Sequence, residues 1–236
     1  MSAVVKVEGL RKVYQLEQAV VALAGVDLQV DAGEFVAVMG PSGSGKSTFM
    51  HIVGMLDRPT AGSYFFEGQD VSKLSADQLA DLRSRSLGFV FQSYNLLART
   101  SALENVELPM IYAGVPEGER RKAALEAMET VGVADLHDHL TNQLSGGQQQ
   151  RIAIARSLVN HPSLVLADEP TGALDTKTSD DVMVLLTRLN REQGITILLV
   201  THEPDVAAYA RRIVTFRDGR IESDRPVDHA VELVPS

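Results

Sequence analysis

Phe35-Val36-Ala37-Val38-Met39-Gly40-Pro41-Ser42-Gly43-Ser44-Gly45-Lys46-Ser47-Thr48 decides the fold. The first five residues are apolar on both faces, the pattern of a fully covered strand. They run directly into glycine, four residues, glycine, lysine and serine, the spacing of a phosphate loop, and helical character begins at Lys46. The glycines let backbone N–H groups converge on phosphate oxygens at the positive end of the following helix. Lys46 then reaches the terminal phosphates, Ser47 offers a hydroxyl to Mg²⁺, and Thr48 adds a further hydroxyl nearby. A glycine-rich turn with a chance lysine is the plain alternative. The strand-loop-helix context outweighs it, so Gly40, Pro41, Ser42, Gly43, Ser44, Gly45, Lys46, Ser47 and Thr48 are candidate nucleotide-binding residues.

Outward from this loop, residues 4–38 alternate apolar and polar positions in short segments. Val26, Leu28 and Val30 fall on one face, and Asp31-Ala32-Gly33 forms a turn, which reads as β-structure. From about residue 75 to 161 the character is helical, with Ala123, Ala124, Leu125, Ala127, Met128 and Val131 making an apolar stripe in a charged helix. Strand character returns at Leu164–Leu166 and Ile195–Val200, separated by a helix over Asp180–Arg191. That order makes a parallel sheet. Val214–Ile221 reads as a hairpin about Asp218-Gly219, and the polar tail beyond it is expected to pack loosely.

The strand at Leu164 ends in Asp168-Glu169-Pro170, two carboxylates leaving a buried strand. Asp168 is placed to hold the shell of a Mg²⁺ ion. Glu169, pointing to the other side of the strand end, can polarise a water for attack on the γ-phosphate. A strand that ends in acidic residues is commonly just a solvated loop, but the phosphate loop in the same chain favours the chemical reading.

The 236 residues, 44% hydrophobic and 22% charged, suit a globular chain with a sizeable core. A formal net charge of -9 disfavours nucleic acid as the main partner, and the lack of cysteine excludes a disulfide framework or a cysteine zinc site. No apolar run approaches the roughly 20 residues needed to cross a bilayer. The first ten residues lack a signal-peptide pattern, so a cytosolic setting is expected. His137 and His139 lie in a polar stretch without further ligand spacing, so no zinc is expected.

Leu144-Ser145-Gly146-Gly147-Gln148, followed by Gln149-Gln150-Arg151 and the apolar helix Ile152–Leu158, resembles the signature of the ABC ATPase family. The resemblance covers essentially the whole chain. It implies that two chains arranged head to tail sandwich two ATP molecules, each between one phosphate loop and the partner's Ser145, Gly146, Gly147, Gln148 and Asp175. Other positions match family motifs in order. Tyr14 is similar to the aromatic that stacks on adenine, and Gln92 to the glutamine that contacts Mg²⁺ and the attacking water. Asp175 resembles the motif that crosses to the partner, and His202 the histidine that holds the γ-phosphate. Taken singly, Tyr14 is a surface aromatic, Gln92 a solvated amide, Asp175 a helix cap and His202 a loop histidine. The family implies catalytic roles for Glu169, His202 and Gln92, a Mg²⁺ shell from Ser47, Gln92 and Asp168, and ATP and Mg²⁺ as cofactors.

Longer stretches, Gly54–Thr60, Gln92–Leu97, Ala102–Pro109 and Asn142–Gln150, look like the macrolide-export and lipoprotein-release subgroup. Ala98 replaces a frequent proline, and Ala173 a frequent asparagine. The subgroup implies a separately encoded membrane permease, with this chain peripheral on the cytoplasmic face, homodimeric with ATP, and out of contact with the transported molecule. The apolar segment Tyr94–Pro109 reads either as a docking surface or as packing within the helical lobe. Soluble ABC proteins of translation or DNA repair usually carry tandem cassettes or a long coiled coil, and phosphate-loop kinases and GTPases lack Leu144–Gln148. The expected fold is α/β: a phosphate-loop NTPase core on a mainly parallel sheet, an N-terminal antiparallel β subdomain and an inserted α-helical subdomain. Residues 1–236 form one ATPase domain, with the core in 1–92 and 162–222, the helical subdomain in 93–161 and a tail in 223–236.

Overall fold

The computed structural model describes residues 2–15 and 17–227. Strands β1 (Ala3–Gln15), β2 (Ala19–Asp31) and β3 (Phe35–Met39) lead into helix α1 (Lys46–Val53). Then come β4 (Ala61–Phe66), β5 (Gln69–Asp70), α2 (Ala76–Ser86) and β6 (Leu87–Phe91), followed by helices α3 (Ala102–Tyr112), α4 (Glu117–Thr130) and α5 (Gly146–Leu158). The order continues with β7 (Leu164–Asp168), α6 (Thr176–Gln193), β8 (Thr196–Val200), α7 (Pro204–Ala207), β9 (Arg212–Arg217) and β10 (Arg220–Pro226).

Two sheets result. The first is antiparallel in the order β2-β1-β4-β5, and the second runs β10-β9-β3-β8-β7-β6. In β1, Val5, Val7 and Leu10 are all buried although Leu10 breaks the two-residue period. A register shift around Gly9 inserts the extra residue that returns Leu10 to the core face. The second sheet is parallel from β9 through β6, with β10 alone antiparallel to its neighbour.

Alternate residues of the parallel strands feed two cores. Ala37, Val165, Ala167, Ile197 and Leu199 pack under α3, α4, α5 and α6. Val36, Val38, Leu166, Leu198 and Val200 pack under α1 and the antiparallel sheet. Covering on both faces is what the apolar run at Phe35 required. Phe49 of α1 tilts against Phe216 of β9 with ring centroids 5.1 Å apart, fixing the helix over the sheet; such pairs add about 0.5–1.5 kcal/mol beyond area burial.

Three expectations need correction. The segment 75–161 is not uniformly helical, because Leu87–Phe91 is strand β6, paired in parallel with β7. It follows α2 without a turn residue and lies at the sheet edge, so no break or alternation marks it. Gly88 is required there, since a Cβ would sit 2.3 Å from the Ser157 carbonyl oxygen of α5. The helix assigned to Asp180–Arg191 begins at Thr176 and ends at Gln193, capped by Asp175 and by Gly194 in a left-handed conformation. The tail assigned from 223 is strand β10 through Pro226, anchored by paired bonds of 2.7 Å from the Arg212 guanidinium to Asp224. Residues 228–236 lie outside the described residues. The hairpin turn falls where expected, with Asp218 and Gly219 both at positive φ.

Candidate active site

Parallel pairing brings the site together. Phe91 lies beside Asp168, and Asp168 beside Val200, while Val38 pairs with Val200 from the other side. Gln92, Glu169 and Thr201 follow these strand residues directly and Gly40 follows Met39 at the end of β3, so all four leave the carboxyl edge of one sheet. Ligands of open α/β sheets bind at this edge.

The phosphate loop is held from several directions. Gly40 has φ +144, and a Cβ there would approach the Phe216 carbonyl oxygen to 2.2 Å. Gly45, the N-cap of α1, has φ +104, and its Cβ would meet the Ala22 carbonyl oxygen at 2.6 Å. The β9–β10 turn reaches over, with Gly219 N–H donating to Ser44 O at 3.0 Å. Gly45 provides no side-chain cap, so the first N–H groups of α1 remain directed at an incoming anion. Lys46 Nζ donates to Gly40 O at 2.7 Å and Pro41 O at 2.9 Å. An ammonium has three protons, and the third is left for a phosphate oxygen.

Glu169 takes up φ +47, a left-handed conformation rare outside glycine. Its N–H donates to Val200 O at 2.9 Å, and its carbonyl accepts from Gly172 N–H at 3.1 Å, closing a tight turn over Pro170-Thr171. Oε1 of Glu169 accepts a 2.7 Å bond from His202 Nδ1. This bond, and the charge behind it, raise the pKa of the exposed imidazole above its ordinary value. Asp168 is also shifted upward, by burial first and then by the neighbouring Glu169 charge, against pulls from His51 and Lys46. The side chain of Gln92 lies over the same turn, since a Cβ on Gly172 would come within 2.7 Å of its Nε2.

No group of three or more His, Cys, Asp and Glu that could cage a metal occurs among the described residues. The Ser47 hydroxyl and Asp168 carboxylate are hard oxygen donors of the kind that hold Mg²⁺ together with substrate phosphates. Lys46 and Asp168 both lie at this carboxyl edge, one at the start of α1 after β3 and the other at the end of β7. The residues fit such an ion.

Ser145 is the N-cap of α5 within a full capping box: its Oγ accepts from Gln148 N–H at 3.3 Å, and Gln148 Oε1 accepts from Ser145 N–H at 2.8 Å. The box uses oxygens as acceptors and leaves the Ser145 hydroxyl proton and the Gln148 Nε2 uncommitted to it. Asp175 is a cap too, with both carboxylate oxygens taken by Thr178 at 3.1 and 2.6 Å. The two caps adjoin: a Cβ on Gly147 would strike Thr178 Cγ2 at 2.5 Å, and one on Gly146 would meet Tyr94 Oη at 2.8 Å and Leu174 at 3.3 Å. Tyr14 stands in the other sheet opposite Val20, which precedes by two residues the Ala22 whose carbonyl abuts Gly45 of the phosphate loop. Its hydroxyl donates to Asp57 at 3.0 Å, and the Lys12 ammonium lies 4.9 Å from its ring centroid, covering one face.

Beside the loop after Gln92 lies an open groove of about 640 Å³ lined by Phe89, Phe91, Leu108, Pro109, Tyr112 and Arg156, among others. Tyr112 is 78% exposed. The Arg156 guanidinium donates to Asn95 O at 2.6 Å and Tyr94 O at 2.8 Å, holding two consecutive residues at positive φ. The stretch Tyr94–Pro109 thus divides: Leu96, Leu103 and Val106 pack into the core, while Asn95, Leu108 and Pro109 line the groove. Sequence reasoning singled out none of Lys12, Asp57, Gln150 or Arg156 as a support, since nothing local in the sequence marks which polar side chain reaches a distant partner.

A glycine cradle at a helix N-terminus, with an acidic pair at the end of a strand two places along the same sheet, defines a phosphate-loop nucleoside triphosphatase. Residues 23–172 match the family described as ABC transporter. The ABC transporter ATP-binding protein YknY of Bacillus subtilis is 55% identical over 218 residues, spanning 92% of this chain and 94% of the relative. The macrolide export ATP-binding/permease protein MacB of Syntrophobacter fumaroxidans is 54% identical over 223 residues, 93% of this chain but 31% of that protein. The dimeric post-hydrolysis structure of the ATP-binding cassette MJ0796 bound to ADP and Pi superposes with a TM-score of 0.86 at 45% identity, over 95% of this chain and 99% of that one. The chain belongs to the ABC transporter family, as its ATP-binding and ATP-hydrolysing cassette.

Proposed function

We propose that this cassette closes with a second copy of itself around two ATP molecules and drives a separate membrane permease of the macrolide-export or lipoprotein-release type from the cytoplasmic face. The dimeric arrangement of the similar cassette MJ0796 supports the first part. The likeness to YknY, described as an ABC transporter ATP-binding protein, and to the ATP-binding/permease protein MacB supports a permease as the driven partner.

In this reading Tyr14 stacks on adenine with its Lys12-free face, and the phosphate loop with Lys46 holds the phosphates. Mg²⁺, held by Ser47, Asp168 and Gln92, supplies charge neutralisation on the phosphates. Glu169 accepts a proton from the attacking water as the new oxygen–phosphorus bond forms and the β–γ bridge bond breaks, with the electron pair leaving on ADP. His202, paired with Glu169 in the isolated chain, transfers its donor to the γ-phosphate, which frees the carboxylate for water. The partner's Ser145, Gly146, Gly147 and Gln148 complete the γ-phosphate site, and the partner's Asp175 braces the interface.

The observation that carries the permease contact is the apolar groove next to the Arg156-clamped loop, because Phe91, the residue before Gln92, lines it and the clamped loop reaches Gly146 at the start of α5 through Tyr94. Leu108→Glu with Tyr112→Glu places two charges on that surface. The expected outcome is loss of the chain from the membrane fraction of producing cells, with thermal midpoint and basal ATPase activity retained. Undiminished membrane recovery would remove the groove as the contact.

A further inference from the structure

Gln150 lies four residues after Gly146, on the same face of α5 and one turn deeper. It is 0% exposed. Its neighbours along the helix, Ile152, Ala153, Ile154 and Ala155, are all buried and apolar, so a long amide there calls for a specific partner. That partner is the Pro170 carbonyl oxygen, 2.5 Å from Nε2. Pro170 immediately follows Glu169, within the turn that holds Glu169 at positive φ.

Two polar atoms in the same region have no hydrogen-bond partner among the described residues: Gln150 Oε1 and the hydroxyl of Thr171, the latter 3% exposed. Native structures leave few such atoms. Here one is an acceptor and the other a donor, on the residue that holds Pro170 and on the residue that follows it. The turn therefore has one bond made, with an unpaired acceptor and an unpaired hydroxyl left over on the flanking residues.

We propose that Gln150 is the positioning residue through which the two ATP sites of the dimer communicate, and this rests on the sandwich arrangement proposed above. ATP bound to one subunit is gripped by the start of the partner's α5. A helix moves as a rigid unit, so displacement at Gly146 carries Gln150 with it and shifts Pro170 in the same chain. The Glu169 set by that shift serves the partner's own ATP, not the one that caused it. Pairing of Thr171 Oγ with Gln150 Oε1 holds the shifted turn. Each nucleotide thereby readies the opposite general base, and hydrolysis depends on ATP cooperatively.

Gln150→Met keeps the volume and removes both polar atoms. ATP-concentration curves for hydrolysis by the full chain should show a Hill coefficient falling from near 2, the ceiling for two sites, to about 1. The turnover number should drop about ten-fold, as expected for a misplaced base, with half-saturating ATP moving less than two-fold. Thr171→Val is the second variant; it removes a buried unpartnered hydroxyl at constant shape, and a lowered Hill coefficient is expected with the fold retained. Packing alone predicts a changed melting temperature with unchanged cooperativity. A wild-type Hill coefficient in both variants, while Glu169→Gln still dimerises with ATP and Mg²⁺, overturns this inference and leaves the sandwich standing. A Glu169→Gln chain that stays monomeric overturns both.

Discussion

The helices α1 and α5, each assigned a phosphate in the proposed dimer, have N-terminal ends built in opposite ways. The α1 end is bare: Gly45 caps it without a side chain, and Lys46 lies folded across the loop carbonyls. The α5 end is closed by a complete capping box between Ser145 and Gln148. An uncapped end beside a lysine attracts an anion unaided. A self-satisfied end has less need of one, and its uncommitted donors matter when a ligand already held elsewhere is brought up to it. In the proposed dimer, one helix start binds nucleotide and the other senses that it has been bound.

This contrast is open to breaking at four points. Lys46→Ala should produce the largest loss of binding, about 100-fold in ATP affinity, near 3 kcal/mol, because charge-assisted contacts to phosphate disappear. Fluorescent-nucleotide titration reads it, and near-normal affinity would place the nucleotide elsewhere. Glu169→Gln should lower turnover by roughly 10²–10⁴-fold, the usual worth of a general base, while leaving that titration unchanged. Gly147→Ala drives a methyl into Thr178 and should reduce turnover about ten-fold with monomer ATP affinity intact. An equal loss of affinity would mean that the α5 start binds the chain's own nucleotide. Ser145→Ala should be mildest for the fold, costing about 1 kcal/mol for the lost cap and lowering the thermal midpoint by about 2–4 °C. A greater cost would show that the box supports more than its own helix end.

The same contrast explains what could be read in the sequence. Phe35–Met39 with the phosphate loop declared itself because a strand apolar on both faces, a glycine pattern and a lysine are each demanded by local geometry. Asp168-Glu169 followed from the second apolar strand, and Asp218-Gly219 from a turn that needs two positive φ angles. Strand β6 left no trace, since an edge strand joined directly to a helix shows neither alternation nor a turn. The cap at Asp175 shifted a helix start that apolar periodicity had placed four residues late. Gln148, Gln149 and Gln150 look alike in sequence. Only packing against Pro170 separates the buried one, just as only packing shows Arg156 holding the loop behind Gln92.

The division of labour between the two helix starts is tested most directly by the solution mass of the Glu169→Gln chain with ATP and Mg²⁺. A chain of 25.6 kDa should double in mass with ATP and return to the monomer with ADP, because only a γ-phosphate reaches the partner's Ser145 and Gly147. A mass that stays at the monomer value with saturating ATP, or that doubles equally with ADP, would contradict the account.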